Sequence, residues 1–142
     1  ANANANARSI TKCYNLYLYA LANRRSKYNP KVDAKKAYSI LLGLKEKSMM
    51  DGVVTFDTNT YNQVLSTFAK MQNFEGANKA QIIFDDMLNE ANATNVHPDT
   101  NTFNTLMNCW LKSGPRGRQH VEKLLNTMVE MSTHGGHEEA SP

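Results

Sequence analysis

One helix-forming stripe occurs three times along this chain. Tyr14, Tyr17, Leu18 and Leu21 recur as Tyr61, Val64, Leu65 and Phe68, and again as Phe103, Leu106, Met107 and Trp110. Each set is spaced i, i+3, i+4, i+7, which puts four side chains on one face of a helix. A second stripe follows each first one: Ala37, Ile40, Leu41, Leu44; then Ala80, Ile83, Phe84, Met87; then Val121, Leu124, Leu125, Met128. The order is helix A then helix B, three times. Each pair offers more apolar face than it can bury alone. Stacking on the next pair closes a continuous core, so the pattern predicts an all-α solenoid of helix pairs.

The punctuation between the stripes agrees. Residues 1–8 alternate mostly Ala and Asn, hold no core anchor, and read as disordered. The first copy covers 9–50, the second 57–97 and the third 99–132, with a flexible tail over 133–142. Tyr28-Asn29-Pro30 breaks the first helix, because Pro disfavours helix for the residue before it. Asp33 is the expected cap of the second helix, and Asp51-Gly52 marks a turn. Copies two and three open on nearly the same six residues, Asp57-Thr-Asn-Thr-Tyr-Asn62 and Asp99-Thr-Asn-Thr-Phe-Asn104. Asp57 or Thr58 can cap the helix that follows. The matched asparagines lie 47 and then 42 residues apart, and the differences fall in loops, where length is tolerated.

Charge is unevenly spread. The net charge is +3, yet residues 1–50 carry +8, residues 51–111 carry −5, and the rest carry none. The basic segment Arg24, Arg25, Lys27, Lys31, Lys35 and Lys36 either attracts phosphates or is a solvated loop and helix start. Cys13 and Cys109 have no metal-ligand spacing between them and read as two reduced thiols. No apolar run approaches a membrane span, so no membrane partner is expected. The chain opens on Ala rather than Met, which reads as a fragment or a processed product.

A polar residue keeps the register of the core stripe. The residue after the first aromatic is Asn in every copy: Asn15, Asn62 and Asn104. Thr60-Tyr61-Asn62 leading to Ala69-Lys70, and Thr102-Phe103-Asn104 leading to Leu111-Lys112, resemble helix A of the pentatricopeptide repeat. The runs Ala80, Ile83-Phe84, Met87 and Val121, Leu124-Leu125, Met128 resemble its helix B, and Pro98-Asp99 resembles its junction. The resemblance covers roughly 9–132, with copies two and three closest. It implies a tetratricopeptide-like right-handed superhelix of antiparallel helix pairs. The chain departs from the family in three ways. Its repeats are longer than usual. Lys12, Asn59 and Asn101 stand where a branched apolar residue commonly flanks the base. Asn23 stands where the later copies have Lys70 and Lys112.

The resemblance implies single-stranded RNA as the partner, one base per repeat, read by two or three side chains. By that register the base-reading pairs are Asn15 with Asp57 and Asn62 with Asp99, and Asn104 is the third reader. The Asn-plus-Asp pair implies a pyrimidine, uracil before cytosine. An amide offers both a donor and an acceptor to the uracil edge. Lys12, Asn59 and Asn101 are the base-flanking residues, and Lys70 and Lys112 the phosphate contacts. A mitochondrial or plastid setting follows from the resemblance alone, as do other RNA-processing proteins as partners.

Each assignment has a plainer competitor. Asn near a helix start often caps the backbone, and Asp57 and Asp99 are strong capping candidates. Lysines at a helix end are favoured by the dipole. Trp110 and the stripe tyrosines read as core, whereas Tyr19 falls off the stripe and is the one aromatic expected to face a ligand. A protein-binding scaffold of tetratricopeptide type is the alternative function, although its Trp-x-x-Leu-Gly-x-x-Tyr pattern is absent. Nothing here suggests an enzyme, a cofactor or a small-molecule substrate. There is no Gly-rich phosphate loop and no nucleophile–base pair. His134 and His137 lack a third metal ligand.

Overall fold

A computed structural model describes residues 2–25, 29–52, 54–91 and 96–138. These form six α-helices: α1 (Asn2–Ala22), α2 (Pro30–Asp51), α3 (Thr58–Ala69), α4 (Phe74–Glu90), α5 (Thr100–Leu111) and α6 (Gly117–Glu138). Among the described residues there is no strand. The main helix contacts all join elements one or two apart in chain order. α3 is the hub, packing on α1, α2, α4 and α5, while α5 packs on α3, α4 and α6.

The helix starts follow from their capping residues. Asp57 and Asp99 are extended, at φ −136° and −114°, and begin α3 and α5 with the same capping box. The Thr60 and Thr102 amides donate to Oδ1 of the aspartate at 2.9 Å in each helix, and the threonine hydroxyl accepts from the aspartate amide at 3.0 Å. α4 starts on Asn73, whose side chain accepts from the Gly76 amide at 2.8 Å. α2 starts four residues earlier than expected. Asn29 is its cap, accepting from the Lys31 amide, and Pro30 is its first residue, where a missing amide proton costs nothing. Asp33 is instead in the first turn, 3.4 Å from the Arg24 guanidinium. α2 ends on Gly52 at φ 66°, a left-handed cap suited to glycine.

Both ends of the chain carry more helix than the sequence suggests. The segment read as disordered is helical from Asn2, and Ala7 is buried, with the Thr11 hydroxyl donating to its carbonyl. Alanine has the highest helix propensity, so once residues 9–22 form a helix, extension is inexpensive. α6 likewise runs past Gly135-Gly136 to Glu138. Two glycines cost about 1 kcal/mol each, and propagation of an existing helix absorbs that.

One continuous core runs from Leu18 to Leu124. Its largest fully buried side chains include Trp110, Tyr61, Phe84, Leu18, Leu41 and Met87. Phe84 meets Phe103 edge-on at 5.3 Å, joining the second helix pair to the third. Trp110 stacks on His120 at 3.6 Å and donates its ring N–H to Gln81. The stripes are not buried equally. Val64 is fully buried, but its counterpart Tyr17, expected in the core, is 41% exposed. The helix that carries Val64, α3, packs on α1, α2, α4 and α5, whereas the main contacts of α1 among the described helices are with α2 and α3, which leaves Tyr17 at the edge. Its ring lies beneath the Lys36 ammonium at 5.7 Å. Leu125 is also exposed, while its neighbour Leu124 is buried, because no described helix packs on the outer face of α6. Cys109 is buried and its thiol is pushed up to about 12, so it stays protonated; Cys13 is exposed.

Candidate functional site

Two junctions with the same chemistry join the helix pairs. At the first, the Asn15 amide of α1 donates to Asp57 Oδ1 at 3.1 Å, and the Thr60 hydroxyl lies 2.7 Å from Asn15 Oδ1. At the second, the Asn62 amide of α3 donates to Asp99 Oδ1 at 3.1 Å, and the Thr102 hydroxyl lies 2.6 Å from Asn62 Oδ1. Each threonine hydroxyl also lies 2.9 Å from its own aspartate Oδ1, so its single proton serves one acceptor at a time. The residues paired by register are thus side-chain partners in three dimensions. Reading and capping are not exclusive: the aspartate that holds the asparagine is also the helix cap.

This arrangement fixes the amide. The aspartate can only accept and the threonine hydroxyl here donates, so the –NH2 must face Asp57 or Asp99 and the carbonyl must face the threonine. One N–H and one carbonyl lone pair of each asparagine remain beyond the junction bonds. The asparagines are nearly buried, at 8% and 5% exposure, whereas Asp57 and Asp99 are exposed. Burial pushes the Asp99 carboxyl upward. Hydrogen bonds from the Thr102 amide and hydroxyl, the Asn62 amide and the Asn101 backbone outweigh it, and the group sits below the usual carboxylate range. It is therefore ionised at neutral pH.

The first junction opens into a cleft of about 430 Å³ lined by Lys12, Asn15, Leu16, Tyr19, Asp57, Asn59 and Gln63. It gathers Asn15 and Asp57, Lys12 and Asn59, and the off-stripe Tyr19. Asn59 accepts from the Gln63 side chain at 3.2 Å, and Asn101 is exposed at the matching place in α5. Asn104 is exposed, and no aspartate junction follows it among the described residues. Lys70 is half-buried and donates to the Arg24 carbonyl at 2.7 Å, so its ammonium already ties the end of α3 to the end of α1; Lys112 is exposed. Of the basic segment, Lys31 pairs with Glu75 at 2.9 Å, and Lys27 lies outside the described residues.

Sequence reasoning missed two kinds of residue. Thr60 and Thr102 complete the junctions, and the signal was their position three after each aspartate. Gly76 and Gly117 each stand four residues before the first residue of a helix B stripe, where α4 and α6 meet the end of the preceding helix. Among the described residues, no group of three or more His, Cys, Asp or Glu could hold a metal; the side chain of His137 lies outside that set. No described helix is long and apolar enough to cross a membrane. Comparison with known protein families, characterised proteins and solved structures finds no match to this chain.

Proposed function

We propose that the helix pairs form a right-handed superhelical array of the pentatricopeptide kind, and that it binds single-stranded RNA with one base per junction. The observation that carries this reading is the duplicated Asn–Asp contact. Asn15–Asp57 and Asn62–Asp99 are the pairs that the family resemblance implies, and both meet at 3.1 Å. Each junction leaves a donor and an acceptor on a fixed amide, the pair needed for a uracil edge. The next ligand group is phosphate. Exposed basic residues, Arg25 after α1 and Lys112, Arg116 and Arg118 around the α5–α6 turn, stand at the helix ends opposite those that carry the junction aspartates. RNA lies with bases toward the aspartates and phosphates toward this basic side. The same resemblance places the protein in a mitochondrion or plastid.

Each base contact is worth only about 0.5–1.5 kcal/mol net, so a few junctions give weak binding. NMR titration of the 142-residue chain with oligo(U) and oligo(A) suits such affinities. Larger, salt-sensitive shifts with oligo(U) at Asn62 and Asp99 are expected. The double change Asn62→Thr with Asp99→Asn moves the preference toward purines. Absence of shifts with either RNA, in a folded chain, rejects the reading in favour of a protein-binding scaffold.

A further inference from the structure

The two junctions match in their bonds but not in their surroundings. Around Asn15 stand Lys12, Leu16 and Tyr19; the same register places around Asn62 are Asn59, Gln63 and Ser66. Tyr19 lies four residues beyond Asn15, on the same side of α1, and lines the cleft into which that junction opens. Its side chain is 53% exposed, and Leu16 beside it is 68% exposed. A tyrosine so placed gains nothing from the core. Ser66, by contrast, turns its hydroxyl back to the Asn62 carbonyl and offers no ring. The cleft volume of about 430 Å³ falls within the range of small-ligand pockets.

From this we infer that Tyr19 is a base-stacking residue and that the Asn15–Asp57 junction is the dominant base site of the chain. The inference rests on the RNA reading above and adds a ranking of the two sites to it. The base lies against the Tyr19 ring with its edge toward the Asn15 amide and the Asp57 carboxylate. Lys12, which lines the same cleft, flanks the base and adds positive charge beside it. A ring face accepts any base, so Tyr19 contributes affinity while Asn15 and Asp57 contribute the choice of base. Leu16 covers the apolar side of the cleft, a role that Gln63 cannot fill at the second junction.

The test is titration of the whole chain with a short oligouridine, read both as affinity and as the shift of the Tyr19 ring protons. Stacking moves those protons upfield, a change that a surface tyrosine acting only structurally does not show. Tyr19→Ala is expected to weaken binding by about 5- to 100-fold, and Tyr19→Phe to bind like the parent. Ser66→Tyr is expected to strengthen binding by supplying the second junction with a ring. Tyr19 is exposed and Ser66 partly so, and helicity serves as the fold control for all three variants. If the parent binds oligouridine and Tyr19→Ala binds equally well, the stacking assignment is overturned while the RNA reading stands. If the parent does not bind, both fall together.

Discussion

At the residue scale, what distinguishes this chain is that one small polar set is used for two purposes. A threonine at the third helical position receives the cap, returns it, and turns its proton toward the asparagine of the preceding pair. Thr60 and Thr102 are both fully buried. Replacing either by valine keeps the volume but deletes the hydroxyl. One helix then loses half of its capping box, and a nearly buried asparagine carbonyl loses a donor. The expected cost is about 1–3 kcal/mol for each change. Because the two junctions have the same bonds, Thr60→Val and Thr102→Val should cost nearly the same in urea unfolding. Ser66→Ala, which removes only a bond within one helix, should cost much less. A Thr60→Val variant as stable as the parent shows that the hydroxyl is not holding the junction.

At the scale of the element, glycine decides how closely a second helix approaches the first. A Cβ on Gly117 would lie 1.7 Å from the Trp110 carbonyl oxygen, and one on Gly76 would lie 2.9 Å from the Phe68 carbonyl oxygen. Those atoms are backbone and cannot rotate away. Gly43, in the middle of α2, has nothing within 4 Å of the same position. The same substitution therefore has opposite signs. Gly117→Ala is expected to lower the unfolding free energy by about 2–3 kcal/mol, and Gly43→Ala to raise it by about 0.5–1 kcal/mol. Thermal unfolding of the two variants against the parent checks both signs, and a Gly43→Ala variant less stable than the parent would show that α2 does not tolerate a side chain there. These glycines also show where sequence reading runs out. The apolar stripes of helices A and B were legible because burial repeats at helical spacing, and the Asn–Asp partners because a polar register keeps step with that spacing. A glycine required by a close backbone approach has no periodic signature. The first copy hides it further by placing Asp33 there. Disorder over residues 1–8 was misread for a related reason: composition indicated too little apolar surface, whereas helix propensity and the packing of Ala7 decided the outcome.

At the scale of the whole molecule, the helix pairs are tied by an ionic network as well as by the core. Lys45 of α2 contacts Asp86 and Glu90 of α4, and the Tyr61 hydroxyl of α3 donates to Asp86 at 3.0 Å. Sequence patterning gave no sign of this, because Lys45 and Tyr61 are far in the chain from Asp86 and Glu90 and only the fold brings them together. Burial lowers the affinity of Lys45 for its proton, but its bonds to Asp86 and Glu90 outweigh that and raise its pKa. Burial, the Asp86 charge and its hydrogen bond push the Tyr61 hydroxyl well above the ordinary tyrosine value. Both groups thus hold their protons more firmly folded than unfolded. Their contribution is complete below the unfolded values, near pH 10, and falls as the pH rises beyond them. Tyr61→Phe removes one such group with little change of volume. At neutral pH the variant should be less stable by about 1 kcal/mol, the net value of the lost bond. From about pH 9 to pH 11 the parent should lose stability faster than the variant, so the two curves converge. Urea unfolding across that range is the measurement. Curves that stay parallel would mean that Tyr61 titrates alike in both states and that the network does not bind its proton. Convergence would show that the Tyr61 hydroxyl is held protonated by Asp86 inside the second helix pair, on the same carboxylate that receives Lys45 from the first. The Lys45 contacts in turn join a first copy (9–50) of net charge +7 to a second (57–97) of net charge −3.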